Sequence, residues 1–109
     1  MSKRLAAEVR SLYLGELRNV AIDCSGVLDR DETIIGTPVF SDPTGELTIT
    51  AASVNSVVIE VNRYLVAVGL AVQCKIERGA APAGTYLVDV LIETNAGQSI
   101  SGTISVECR

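Results

Sequence analysis

The spacing of apolar and polar positions changes once along the chain, near residue 18. Before that point, apolar residues recur at steps of three and four, the spacing of one face of an α-helix. These residues are Leu5, Ala6, Val9, Leu12, Tyr13 and Leu17. Ser2 is a suitable N-cap and Gly15 a suitable stop, so the pattern predicts a short amphipathic helix within residues 1–17. A helix this short needs a surface to pack on, either its own domain or a neighbouring subunit.

From residue 18 to residue 109 the alternation has a period of two, with many β-branched residues and with turn formers between the runs. This pattern predicts short β-strands. It is clearest in the last hairpin, which turns at residues 94–98. Its two predicted inward rows are Tyr86, Val88, Val90 and Ile92, and Ile100, Gly102, Ile104, Val106 and Cys108. Because no segment is long enough for a crossover helix, we expect an all-β, immunoglobulin-like antiparallel sandwich with a helical N-terminal arm.

Local motifs predict three further features of this domain. Residues 41–45 consist almost entirely of turn formers, and Asn62–Arg63 is suited to a tight turn between two strands. Gly84 and Tyr86 match a tyrosine corner, in which a tyrosine at the start of a late strand bonds back to nearby backbone. An ordinary half-buried strand tyrosine is the alternative at this position.

Composition and charge restrict the classes of partner. Hydrophobic residues make up 48% of the chain and charged residues 20%, which argues against disorder and predicts apolar surface that needs a partner. Residues 1–18 carry four basic and two acidic groups, whereas residues 19–109 carry five basic and eleven acidic groups. An acidic body repels nucleic acid, and no apolar run approaches the length of a membrane span. We therefore expect neither nucleic acid nor membrane as a partner.

The residues that usually carry catalysis or metal binding are scarce. The chain has no histidine, which excludes histidine-based triads and zinc–histidine sites. Cys24, Cys74 and Cys108 are widely spaced and form no C-x-x-C pair, so buried reduced thiols are expected. A Cys24–Cys74 disulfide like the inter-sheet bridge of immunoglobulins is the alternative, although the chain has no tryptophan to pack on it. The acidic loop around Asp29 and Asp31 lacks the EF-hand spacing. The sequence predicts a protein that is not an enzyme and has no cofactor and no metal.

Several short motifs occur in an order that resembles the phage fibre-tail adaptor family. They are Ala21–Ser25 (AIDCS), Asp31–Ile35 (DETII), Gly45–Ile49 (GELTI), Ala83–Tyr86 (AGTY) and Ile92–Ser99 (IETNAGQS). The likeness covers roughly residues 15–109. Cys24 stands where the family usually has tryptophan, and Gln98 where it usually has arginine. The resemblance implies a small immunoglobulin-like virion protein associated with the tail.

Together these features predict a non-enzymatic virion component made in the host cytoplasm, most simply a tail or fibre-tail adaptor. Its expected partners are tail, connector or fibre subunits, and we expect a homo-oligomeric ring. The N-terminal arm is the predicted attachment element, through Lys3, Arg4, Leu5, Val9, Arg10 and Leu12. The alternatives are a capsid decoration protein, or a module outside phages that binds protein or carbohydrate.

Overall fold

A computed structural model describes residues 8–109, with side chains from Leu12 onward. Nine β-strands form in this part of the chain, and none of its residues is helical. The strands are β1 (Glu8–Leu12), β2 (Leu17–Asp23), β3 (Ile34–Ser41), β4 (Thr48–Val54), β5 (Ile59–Val61), β6 (Tyr64–Val66), β7 (Ala71–Glu77), β8 (Gly84–Thr94) and β9 (Ser99–Cys108). The predicted all-β class is confirmed. No helix in these residues is long and apolar enough to cross a bilayer.

The strands form two main sheets and a separate hairpin. The four-stranded sheet has the order β1-β9-β8-β3, the three-stranded sheet has the order β2-β7-β4, and β5 pairs with β6. Neighbouring strands are antiparallel except β1 and β9, which are parallel. Residues from both main sheets share one hydrophobic core, so each main sheet has an inner face and an outer face.

The alternation of inward and outward side chains predicted for the last hairpin agrees with the burial of residues in β8 and β9. Every residue of both predicted inward rows is buried, and Tyr86, at 9% exposure, is the most exposed of the apolar ones. Ser99, Ser101, Thr103 and Ser105 lie on the opposite face of β9, where they are exposed or half-buried. Strand β9 thus combines an apolar inner row with a row of small hydroxyl residues.

The predicted N-terminal helix is wrong for residues 8–17, because Glu8–Leu12 forms β1 and Leu17 begins β2. Strand β1 adds to the edge of the four-stranded sheet, and its Leu12 is only 1% exposed within the core. The Leu12 carbonyl also accepts hydrogen bonds from the Arg78 guanidinium and the Arg109 backbone N–H. Pairing with a strand almost a hundred residues away outweighs the local helical spacing. Residues 1–7 of the predicted arm lie outside the described residues.

Both predicted turns are present. The Asp42 carboxylate accepts hydrogen bonds from the backbone N–H groups of Thr44 and Leu47, which fixes the β3–β4 turn. Asn62 and Arg63 both have positive φ, at 51° and 71°, and join β5 to β6. Two successive residues of this kind make the hairpin turn that suits the twist of paired strands.

Candidate functional site

The outer face of the four-stranded sheet carries large apolar side chains that the fold leaves in solvent. We call Ile35, Val39, Leu87 and Leu91 the outer patch; they are 43–57% exposed. Val39 lies directly opposite Leu91 on the neighbouring strand. On β8, the residues that alternate with Leu87 and Leu91 are already buried in the core. These two leucines therefore cannot face inward unless the strand shifts its register.

The surroundings of the outer patch are uncharged or acidic. Asp89 and Glu93 are exposed on the same face of β8 as Leu91. Beside them, Ser101 and Ser105 of β9 lie opposite Leu91 and Leu87. Strands β3, β8 and β9 contain no lysine or arginine. A partner of this face therefore needs apolar side chains with basic or uncharged groups around them.

A second exposed apolar group lies on and beside the β5–β6 hairpin. We call Val57, Val58, Tyr64, Leu65 and Val68 the hairpin patch; they are 53–78% exposed. The hairpin is anchored by Val61 and Val66, which are buried in a small cluster with Ala71, against which Ala21 of β2 packs. The hairpin thus rests on the outer face of the three-stranded sheet, with Leu65 and Glu60 on its solvent side, and Tyr64 is exposed beside Val61.

Asn55 fixes the position of this hairpin. Its side chain is buried, and its amide nitrogen donates to the Val57 and Ala67 carbonyls at 3.0 and 2.8 Å. Its amide oxygen accepts from the backbone N–H groups of Gly69 and Ala71, both at 3.0 Å. One side chain therefore joins both ends of the hairpin to the start of β7, and the hairpin patch is held on a defined support.

At one end of the domain, Glu32 joins the β2–β3 loop to the β8–β9 turn. Its buried carboxylate accepts hydrogen bonds from the Thr94 hydroxyl, from the Asp29 N–H at 2.8 Å and from the Gln98 amide at 2.7 Å. These bonds, led by the one from Thr94, lower the pKa of Glu32. Nearby, the Thr33 N–H donates to the Asn95 side chain at 3.0 Å. Glu32 thus has a structural role, whereas Asp29 and Asp31 of the same loop are exposed.

Near the other end of the domain, Tyr86 makes the backbone hydrogen bond expected of a tyrosine corner. It lies near the start of β8, is 9% exposed, and its hydroxyl donates to the Pro82 carbonyl at 2.7 Å. Burial raises the pKa of its phenol, so the group stays a neutral donor near neutral pH. Gly84, at φ 150°, is the first residue of β8.

The described residues hold little reactive chemistry. No group of three or more histidine, cysteine or acidic side chains among them is placed to bind a metal ion. Cys24, Cys74 and Cys108 all lie in this part of the chain as buried thiols outside any disulfide. Burial raises the pKa of Cys74 to about 11, which keeps it protonated and a poor nucleophile near neutral pH.

Most of the predicted attachment residues lie where the structure describes no side chains. Lys3, Arg4 and Leu5 lie outside the described residues, and Val9 and Arg10 belong to β1, where only the backbone is described. The use of Leu12 as a partner anchor is wrong, since this side chain packs in the protein's own core.

Sequence reasoning missed both exposed patches and the buried polar residues Asn55, Glu32 and Arg78. The Arg78 side chain donates to backbone carbonyls of Leu12, Ala81 and Arg109, partners that local sequence does not reveal. The surplus of hydrophobic residues predicted exposed apolar surface but not its position. The signal available for the hairpin patch was the run of apolar residues around the predicted Asn62–Arg63 turn.

Comparisons with known proteins show a shared fold and no family. No family model and no curated protein matches the chain. A nucleoside hydrolase-related hypothetical protein from Saccharophagus degradans, associated with carbohydrate metabolism, is similar in structure, with a TM-score of 0.56 and 12% identity. The match covers 95% of this chain and 23% of that one. A 2,6-sialyltransferase from Photobacterium sp. JT-ISH-224 matches with a TM-score of 0.48 and 13% identity, over 98% of this chain and 18% of that one. This chain therefore spans about a fifth of the length of these two solved proteins. The similarity to the first of them shows a shared fold.

Proposed function

We propose that this chain is a non-enzymatic structural component of a phage virion, a tail or fibre-tail adaptor that joins subunits through exposed apolar surfaces. The observation that carries the proposal is the presence of nine large apolar side chains in the outer patch and the hairpin patch, each at least 43% exposed. Ordered apolar surface that is left exposed is typical of protein–protein contact sites. Rigid sheets and a hydrogen-bonded hairpin hold these side chains in place before a partner binds.

The strand order supports an immunoglobulin-like sandwich for this component. With the β5–β6 hairpin set aside, strands β2, β3, β4, β7, β8 and β9 correspond to B, C, D, E, F and G of that fold. The sheets then read B-E-D and G-F-C, the division found in immunoglobulin constant-type domains. Tyr86 falls at the start of strand F, where a tyrosine corner belongs. Two departures are β1, which joins strand G, and the extra hairpin between D and E.

Contacts between the motifs add support for the adaptor resemblance. The segments Asp31–Ile35 and Ile92–Ser99 lie about sixty positions apart, yet Glu32 accepts hydrogen bonds from Thr94 and Gln98. The motifs thus belong to one structural unit at one end of the domain. Gln98, which stands where the family usually has arginine, keeps a polar contact with the acidic loop through Glu32 and Asp29.

A genetic experiment tests the proposed role. A nonsense mutation early in the gene should yield particles with filled heads that lack complete tails or fibres, and supplying the chain in trans should restore infectivity. Complete, infectious particles made without the chain would contradict an adaptor role. Normal tails on heads of reduced stability would favour a capsid decoration protein instead.

A binding module outside phages is the second candidate, favoured by the structural similarity to a protein associated with carbohydrate metabolism. Among the described residues, the well-exposed aromatic side chains are Tyr13, between β1 and β2, and Tyr64, at the start of β6. Sugar-binding surfaces usually present aromatic groups side by side. Binding of the purified chain to a glycan array, lost in Tyr64→Ala, would favour this candidate over the adaptor.

A further inference from the structure

We infer that the hairpin patch of one copy of this chain docks onto the outer patch of a second copy, in a head-to-tail contact. This inference deepens the proposed function by naming a partner for the outer patch. The two patches lie on different layers of the molecule, since the hairpin rests on the three-stranded sheet and the outer patch faces away from it. A contact between two different surfaces repeats from copy to copy and builds a ring or a chain.

Charge favours this pairing over contacts between identical patches. Two outer patches placed face to face would bring Asp89 and Glu93 of both copies together, with no lysine or arginine on β3, β8 or β9 to offset them. Like charges across an interface cost binding energy. A self-paired outer patch is therefore disfavoured.

The hairpin supplies the missing positive charge. Arg63 stands at its tip, exposed and next to Tyr64 and Leu65, which are 73% and 78% exposed. An exposed arginine beside apolar anchors complements a face made of leucine, valine and acidic side chains. The one acidic side chain of the hairpin is Glu60, opposite Leu65. We expect Glu60→Gln to tighten the contact several-fold by removing a like charge.

The geometry of both surfaces suits a contact that needs little rearrangement. The outer patch lies on the edge strand β3 and its hydrogen-bonded neighbour β8, and Asn55 fixes the hairpin by four hydrogen bonds of 3.0 Å or less. Neither surface therefore loses much conformational entropy on binding. Because the hairpin is small, the contact belongs to the class below about 1,200 Å², and we expect a dissociation constant on the order of 10–100 µM.

Sedimentation velocity of the full chain, from about 5 to 500 µM, tests the inference, because this range brackets the expected affinity. The sedimentation coefficient of the wild type should rise with concentration. Leu65→Asp on the hairpin and Leu91→Glu on the sheet should each weaken association at least about tenfold. Leu14→Asp is the matched control, because Leu14 is 69% exposed and outside both patches. Unchanged thermal midpoints establish that the variants are folded; Tyr64→Ser and Leu87→Ser replace any that are not.

A mixture of the two variants gives the decisive result. Each variant keeps one intact surface, so at concentrations near the wild-type dissociation constant the mixture should form a one-to-one dimer and nothing larger, while each variant alone stays largely monomeric. A wild-type chain that remains monomeric overturns the inference, and so does a mixture that fails to dimerise or a loss of association in one variant only. Presence in the particle is measured separately, so the proposed function can stand if this inference fails.

Discussion

At the scale of single residues, Tyr86 offers a direct test of the corner at the start of β8. Tyr86→Phe removes the hydroxyl that donates to the Pro82 carbonyl and leaves the ring in place. We expect the free energy of unfolding to fall by about 0.5–1.5 kcal/mol, the net worth of one such bond. Urea denaturation measures the change. Tyr64→Phe, at an exposed position, is the control and should leave stability unchanged. Equal effects in both variants would show that the Tyr86 hydrogen bond does not stabilise the domain.

Asn55 should be among the most sensitive positions of the domain. Asn55→Ala leaves the Val57 and Ala67 carbonyls and the Ala71 N–H without their side-chain partner. Buried polar groups that lose a partner cost about 1–3 kcal/mol each, partly recovered where water enters, so we expect a total loss of about 2–4 kcal/mol. The exposed Asn19→Ala in β2 is the control, with an expected change within about 0.5 kcal/mol. A near-neutral Asn55→Ala would mean that other contacts hold the hairpin.

Glu32 should make the domain sensitive to acid. Its folded-state pKa is lowered from the usual 4.5, so its stabilising effect is present above that value and is lost as the pH falls through the lower folded-state pKa. Between about pH 5 and pH 3, the wild type should therefore lose more stability than Glu32→Gln. Thermal midpoints measured across this range compare the two proteins. Parallel curves would show that Glu32 does not contribute to the acid response.

At the scale of elements, strand β1 decides whether the N-terminal segment is an arm or part of the domain. Leu12→Ala should lower the free energy of unfolding by about 2–5 kcal/mol, the usual cost of removing a buried leucine side chain. Leu14→Ala, two residues later and 69% exposed, should change it by less than about 0.5 kcal/mol. Chemical denaturation of the two variants makes the comparison. Equally small changes in the free energy of unfolding for both variants would show that this segment is a detachable arm and not part of the domain.

The sequence predicted the strands with local signals and missed the features that depend on distant partners. The alternation of β8 and β9 could be predicted because each residue's face follows from its position in the strand. Strand β1 was mistaken for a helix because Leu5, Val9 and Leu12 fit a helical spacing. Its parallel pairing with β9 has no local signature.

The candidate site was harder to predict than the fold, for a physical reason. An outward leucine such as Leu91 and an inward one such as Leu12 have the same chemistry, and only the three-dimensional packing distinguishes them. The outer patch becomes visible once the neighbours of Leu91 are known to be Val39 and Ser101. Likewise, nothing in the local sequence marks Asn55 as a buried centre of hydrogen bonds.

At the scale of the whole molecule, the domain combines one core shared by the two main sheets with two groups of exposed apolar side chains. The core draws on both main sheets, whereas the outer patch and the hairpin patch belong to opposite layers. A protein that works alone gains nothing from exposing residues such as Leu65 and Leu91, since such surface promotes aggregation. We therefore expect these surfaces to be covered in the functional assembly.

Quantitative mass spectrometry of purified particles, using isotope-labelled peptides of this chain, tests the structural role most directly. The account predicts that the chain is present at about a dozen copies or fewer per particle, as a ring at a tail joint requires. Tails separated from heads should retain it. Absence of the chain from purified particles would contradict the account, and hundreds of copies that remain with the heads would contradict its placement in the tail.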